Sequence, residues 1–234
     1  MYHVRRLFFA LVAVTLAFSL RAPAALAVSP ELSFDYWMSR LAREDRAGSQ
    51  ITRTSRASSE ILAQLDLNLT SRLGVGAEMA ATLDEISSAF HELTDGSGVS
   101  PSVGYRVEAA YRLPILGAGV GPTYVHAVLP QEGRPPVEVS GLGGLVQGGL
   151  DLSDRIQLEG SFRYLPKVEV REDGQARQAS YTQFQVGASL NLWRGLEVQA
   201  GYRQEETEIP NPEVGLQERA YQQSGYTLGL AYRF

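Results

Sequence analysis

The chain of 234 residues has no cysteine and a net charge of −5, with 44% hydrophobic and 20% charged residues. Disulfide scaffolds, thiol catalysis and cysteine metal sites are thereby excluded, and an isoelectric point near 5.3 offers no basic stripe for nucleic acid. The length suits one domain, while a mean hydropathy of −0.13 says little about strands whose polar and apolar residues average out.

In chain order, the first feature is a targeting layout. Arg5 and Arg6 precede an apolar run from Leu7 to Leu20, Arg21 ends it, and Ala25-Leu26-Ala27 forms an A-x-A cleavage site. A helix over that run spans about 21 Å, short of the roughly 30 Å hydrocarbon core. The expectation is a signal peptide over 1–27, cleaved after Ala27, and an exported domain over 28–234. No later apolar run approaches the length of a spanning helix.

From Val28 onward the dominant pattern is alternation with period two, punctuated by turn residues. It predicts ten strands, near 31–42, 60–71, 73–84, 102–113, 117–128, 139–152, 156–170, 179–192, 196–208 and 223–234. Short connections fall at Ser71-Arg72, Pro114-Ile115-Leu116, Ser153-Asp154-Arg155 and Trp193-Arg194-Gly195. Longer polar ones, read as loops, fall at 43–59, 85–101, 129–138, 171–178 and 209–222. Short turns on one side and long loops on the other are the rhythm of a transmembrane β-barrel. The fold class expected is therefore all-β, an antiparallel up-and-down transmembrane barrel of ten strands, with eight as the alternative.

Facing follows from energetics. Over 102–113, Val103, Tyr105, Val107, Ala109, Tyr111 and Leu113 share one face, and Arg106, Glu108, Ala110 and Arg112 the other. A cation on lipid at mid-bilayer costs about 2–4 kcal/mol, so the first face looks outward. The same rule turns Gln64, Gln183, Gln185, Gln199 and Lys167 inward. It collects a charged lumen of Asp35, Asp66, Glu78, Arg106, Glu108, Arg112, Glu159, Arg163, Glu197 and Arg203. Buried charges need partners, so a salt-bridge network filling the lumen is expected, with a narrow pore as the alternative. A soluble barrel would invert the pattern, with an apolar lumen beneath a polar exterior.

The final strand carries the most specific signal. Tyr226, Leu228, Leu230, Tyr232 and Phe234 alternate with Thr227, Gly229, Ala231 and Arg233, and the last residue is aromatic. Together with the targeting layout and the strand rhythm, this ending resembles the C-terminal signature of bacterial outer-membrane β-barrel proteins. The resemblance implies an outer-membrane location in a Gram-negative-type cell envelope. It also implies recognition of those five residues by the barrel assembly machinery, and contact with outer-membrane lipid or lipopolysaccharide.

Catalytic signals are sparse. After the targeting segment the imidazoles are His91, in the 85–101 loop, and His126 in Tyr124-Val125-His126-Ala127-Val128. Outer-membrane lipid A deacylases carry His-x-Ser-Asn, and the residues after His126 lack that nucleophile. Omptin-type proteases use an Asp-His pair, and no Asp-His dipeptide occurs here. The glycines Gly117, Gly119, Gly121, Gly141, Gly143 and Gly144 precede no helical pattern, so a phosphate-binding loop fails on context. Arg43, Arg46, Arg53 and Arg56 in the 43–59 segment are read as part of a solvated polar loop at the outer rim, with contact to lipopolysaccharide phosphates as the alternative. The expectation is a small non-enzymatic barrel of structural or interaction type, without metal or cofactor, its outer loops meeting lipid or partners. A narrow porin-like channel and an outer-membrane hydrolase are the alternatives, and the pattern fixes no oligomeric state.

Overall fold

A computed structural model describes residues 29–82, 103–113, 118–129, 131, 135–210 and 215–234. The 1–27 segment, His91 with the 85–101 loop, and Pro114-Ile115-Leu116 lie outside the described residues, as do parts of the 129–138 and 209–222 connections.

Ten strands form: β1 (Ser29–Ala47), β2 (Gln50–Asn68), β3 (Leu73–Thr82), β4 (Gly104–Arg112), β5 (Gly119–Leu129), β6 (Val137–Asp151), β7 (Ile156–Glu172), β8 (Gln175–Trp193), β9 (Leu196–Pro210) and β10 (Glu218–Arg233). Each pairs antiparallel with its sequence neighbours, and β1 pairs with β10 to close the barrel. The seam runs from Glu31–Arg233 up to Arg46–Glu218, so no edge is left along it. The alternation that predicted ten strands holds, because every described strand has water or lipid on one side and the lumen on the other.

The turns follow local chemistry. Asp173-Gly174 and Arg194-Gly195 each place both residues at positive φ, the geometry of a type I′ hairpin, whose twist matches that of the strands it joins. Gly195 has a second reason to be glycine: a Cβ there would lie 2.4 Å from the Arg233 carbonyl oxygen.

The lower part of the barrel exposes a continuous apolar band. Phe34, Tyr36 and Met38 on β1, Phe162 and Tyr164 on β7, Phe184, Val186, Leu190 and Leu192 on β8, and Tyr226, Leu228, Leu230 and Tyr232 on β10 are all exposed. On β8 it runs from Phe184 to Trp193, about 30 Å of strand. A tilt of about 40° reduces that to about 23 Å of height, close to the roughly 25 Å of an outer-membrane band. Aromatic pairs mark its margins, with Tyr232 and Phe234 edge-on at 4.8 Å and Tyr202 and Tyr226 at 5.7 Å.

Above this band the pattern inverts. Outward positions become polar: Gln204, Glu206 and Glu208 on β9, Gln222 and Ser224 on β10, and Gln178, Ser180 and Thr182 on β8. Inward positions become apolar and fully buried, with Val137, Leu165, Val170 and Ile209 at 0% exposure. With Leu41, Val125, Leu129, Val139, Val168, Ala179, Tyr181 and Tyr221 they form one hydrophobic core inside the barrel. Outside the membrane water lies on the outer face, so the lumen is the one place where apolar side chains escape it.

This inversion corrects the expected loops. Residues 43–59 and 171–178 are not loops but the ends of β1, β2, β7 and β8, joined by the two-residue turns Gly48-Ser49 and Asp173-Gly174. Glu218 to Gln222 belongs to β10 rather than to a loop. The inversion is aided by a bulge at Pro166-Lys167, where β7 carries one residue more than β6 and β8. The bulge leaves Lys167 exposed, not inward as its parity predicted, and turns Val168 and Val170 into the lumen. Across from it, a Cβ on Gly143 would sit 2.3 Å from the Tyr164 carbonyl oxygen, so the bulge needs glycine there.

Candidate functional site

Beneath the apolar core lies a layer of charge. Arg106 on β4 and Glu78 on β3 are adjacent inward positions, and their side chains meet at 2.7 Å. Arg203, from β9 on the far wall, reaches the same carboxylate at 2.9 Å and donates to Glu205 at 2.8 Å. Arg163, from β7, grips Glu108 at 2.9 Å and 3.1 Å through two nitrogens, the planar fork that favours arginine for such pairs. Arg106 also donates to Gln183 at 2.8 Å and lies 3.3 Å from Glu108. The chain of contacts thus crosses the lumen from β9 through β3 and β4 to β7. Each of these ionic side chains is at most 8% exposed. Arg203 also stacks over the Trp37 ring at 4.8 Å.

The ten expected lumen charges separate by height. Glu78, Arg106, Glu108, Arg163 and Arg203 are brought together in this layer. Asp35, Asp66, Arg112 and Glu159 line a polar cavity of about 300 Å3 beneath it. There Asp66 accepts a hydrogen bond from Gln64 at 2.6 Å, and none of the four has an ion pair among the described residues. Glu197 sits at the lower rim, 3.4 Å from Arg233, which also holds Glu31 at 2.9 Å. Gln183, expected inward, joins the layer, and so do Glu60, Glu205 and Gln223, which the alternation analysis did not single out. Gln223 donates to both Glu60 and Ser39. The missed signal was parity: Glu205 lies two residues beyond Arg203 on the same face.

A second ionic cluster caps the apolar core at the opposite end. Arg219 donates to Asp45 at 2.7 Å and to Glu172 at 2.6 Å, and the Tyr221 hydroxyl donates to Glu172 at 2.7 Å. Arg43 pairs with Asp45 at 2.9 Å and lies 5.9 Å from the centre of the Tyr221 ring. Burial works against the Asp45 and Glu172 charges, but hydrogen bonds from Arg219, with Arg43 on Asp45 and Tyr221 on Glu172, hold both carboxyls below their usual range. Burial and the Glu172 carboxylate push the Tyr221 phenol up. Arg43 therefore faces this internal cluster and is not an exposed rim cation. Arg56 likewise falls on an inward position of β2, leaving Arg46 and Arg53 exposed.

His126 lies outward on β5, its ring 4.8 Å from the ring of Tyr105, so it belongs to the upper aromatic margin. No group of three or more metal-ligating side chains occurs among the described residues.

A closed barrel with an apolar outer band, a charged lumen and an outward-facing C-terminal aromatic strand defines a bacterial outer-membrane β-barrel. The chain belongs to the outer membrane protein beta-barrel domain family, whose model matches residues 10–234, and it is an outer-membrane protein. The fold is similar to that of the outer membrane protease OmpT from Escherichia coli, at 10% identity and a TM-score of 0.55 over 91% of this chain and 99% of that one. Ail, the attachment invasion locus protein of Yersinia pestis, aligns at 13% identity and a TM-score of 0.34 over 88% and 99% of the two chains. A comparison with curated protein sequences found no match.

Proposed function

We propose that the protein is a closed, non-enzymatic outer-membrane barrel that holds a rigid platform above the membrane for contact with lipid headgroups or a partner. The observation that carries this reading is the double closure of the lumen. An ionic layer spans it, and an apolar core with side chains at 0% exposure is stacked above. Side chains of small barrels fill such interiors, and a pore has no need of a dry core. The outward placement of His126 supports a non-catalytic reading.

The lipid contact is assigned to Arg40 and Arg53 on the outer surface and to Lys167 in the bulge. All three are exposed, and Arg40 lies two residues beyond Met38, past the apolar side chains of β1, where a guanidinium is free to pair with a phosphate. Tyr226, Leu228, Leu230, Tyr232 and Phe234 are assigned to recognition during assembly. The test is purified, folded protein in planar bilayers and in lipopolysaccharide-containing vesicles. The expected results are silent bilayers and a higher melting temperature with lipopolysaccharide than without. Steady conductance by the wild-type protein overturns the reading.

A further inference from the structure

The short turns at the lower end repeat one device. In Leu69-Thr70-Ser71-Arg72-Leu73, the Thr70 hydroxyl accepts from the amides of Arg72 and Leu73 at 3.2 Å and 2.9 Å. The amides of Leu69 and Thr70 donate to the Leu73 carbonyl oxygen. In Leu152-Ser153-Asp154-Arg155-Ile156, the Ser153 hydroxyl accepts from the amides of Arg155 and Ile156 at 3.3 Å and 3.1 Å. Again the first two amides, of Leu152 and Ser153, donate to the last carbonyl oxygen, that of Ile156. A hydroxyl that closes a turn in this way fixes its backbone, and both times an arginine stands directly before an exposed apolar residue. The third turn, Trp193-Arg194-Gly195, carries Arg194 over the Trp193 ring at 4.9 Å. The Arg155 carbonyl oxygen accepts from the Asn191 amide at 2.8 Å, so the second turn adjoins the strand end that bears Trp193.

We infer that these turns bind the headgroups of anionic phospholipids in the inner leaflet, Arg155 and Arg194 beside Trp193, and Arg72 beside Tyr111. All three arginines are exposed and none has an ion pair among the described residues. The three turns contain a single carboxylate, Asp154, so cations prevail on them. Each guanidinium stands at the lower limit of the apolar band. Arg72 lies 3.5 Å from the Tyr111 hydroxyl, and Leu73, Tyr111, Ile156, Leu192 and Trp193 are exposed toward lipid. Acyl chains on the apolar residues bring a phosphate to that height, where the planar fork of arginine pairs with it. This goes beyond the platform reading, which concerns the opposite end of the barrel.

The experiment uses the tryptophan beside the site as its reporter. Of the two tryptophans, Trp37 is buried in the lumen at 1% exposure and Trp193 is 66% exposed, so contact quenching by brominated acyl chains reads Trp193. Folded protein is placed in mixed vesicles of phosphatidylcholine and phosphatidylglycerol, with one lipid brominated at a time. Phosphatidylglycerol is expected to be favoured at Trp193 by about fivefold, and the preference to fall toward one in Arg155→Gln/Arg194→Gln. Both single variants are measured too, with folding of each verified by heat-modifiable gel migration. For the other site, Tyr111→Trp in a Trp193→Phe background serves as reporter, and Arg72→Gln is expected to abolish its preference. Equal quenching by the two brominated lipids in the wild type overturns the inference, as does a preference undiminished in the folded variants.

Discussion

Replacing Glu78 with alanine removes a carboxylate that serves two arginines, one from β4 and one from β9. Arg106 and Arg203 lie 2.7 Å and 2.9 Å from it, and both are 4% exposed. Breaking a buried ion pair costs about 3–5 kcal/mol because the surviving charge stays desolvated. Two pairs are lost here, but the cost does not double. Arg106 keeps Gln183 at 2.8 Å and Glu108 at 3.3 Å, and Arg203 keeps Glu205 at 2.8 Å. The expected destabilisation of Glu78→Ala is thus about 3–5 kcal/mol. Arg233→Ala, on a side chain 47% exposed, is expected to cost less than about 1 kcal/mol. Urea unfolding in phospholipid vesicles, followed by tryptophan fluorescence, measures both. Trp37 reports on the layer directly, since Arg203 stacks on it. A loss for Glu78→Ala no larger than that for Arg233→Ala refutes the claim that the layer holds the barrel together.

Leu165→Ala is expected to cost about 2–5 kcal/mol in the same assay, since Leu165 is fully buried in the outer core. Leu228→Ala, on the lipid face at 54% exposure, leaves no enclosed cavity and is expected to cost less. Acid should loosen the upper end first. Asp45 and Glu172 have lowered folded-state values, so their contribution is complete above the ordinary carboxylate range near pH 4. It is lost as pH falls through the lower folded values, and hydrogen exchange at β1 and β10 above Tyr226 should rise there. Deleting Phe234 should reduce the folded fraction in cells more than it lowers the urea midpoint of protein already folded. Unchanged assembly would remove the assigned role of the final residue.

Within the membrane band the sequence was readable because the solvent is uniform. A strand such as 179–192 has lipid on one side and a polar lumen on the other, so Phe184, Val186, Leu190 and Leu192 alternate cleanly with Gln183, Gln185 and Ser189. Above the band, outward residues turn polar while Tyr181, Ala179 and Ile209 turn inward, and a polar-rich stretch was read as loop. The same bias hid Arg43 and Arg56, whose charge suggested exposure although their parity pointed in. Parity also fails where a residue is added: nothing in Leu165-Pro166-Lys167-Val168 announces a bulge except the proline. In the charged layer the residue types and their facing were legible. Which arginine meets which carboxylate was not, because partners such as Arg203 and Glu78 are 125 residues apart and their meeting depends on barrel stagger.

The seam between β1 and β10 sets an order of events. Glu31 and Arg233, which hydrogen-bond across it, are separated by 202 positions, and the Phe234 amide donates to the Pro30 carbonyl oxygen at 3.0 Å. The first strand to leave the exporting machinery must wait for the last before it gains its second neighbour. Until then the chain is an open sheet with two unsatisfied margins, prone to pairing with other chains. Closure of such long range is intrinsically slow. The interval before closure is therefore when the strand margins of β1 and β10 are most open to pairing with other chains.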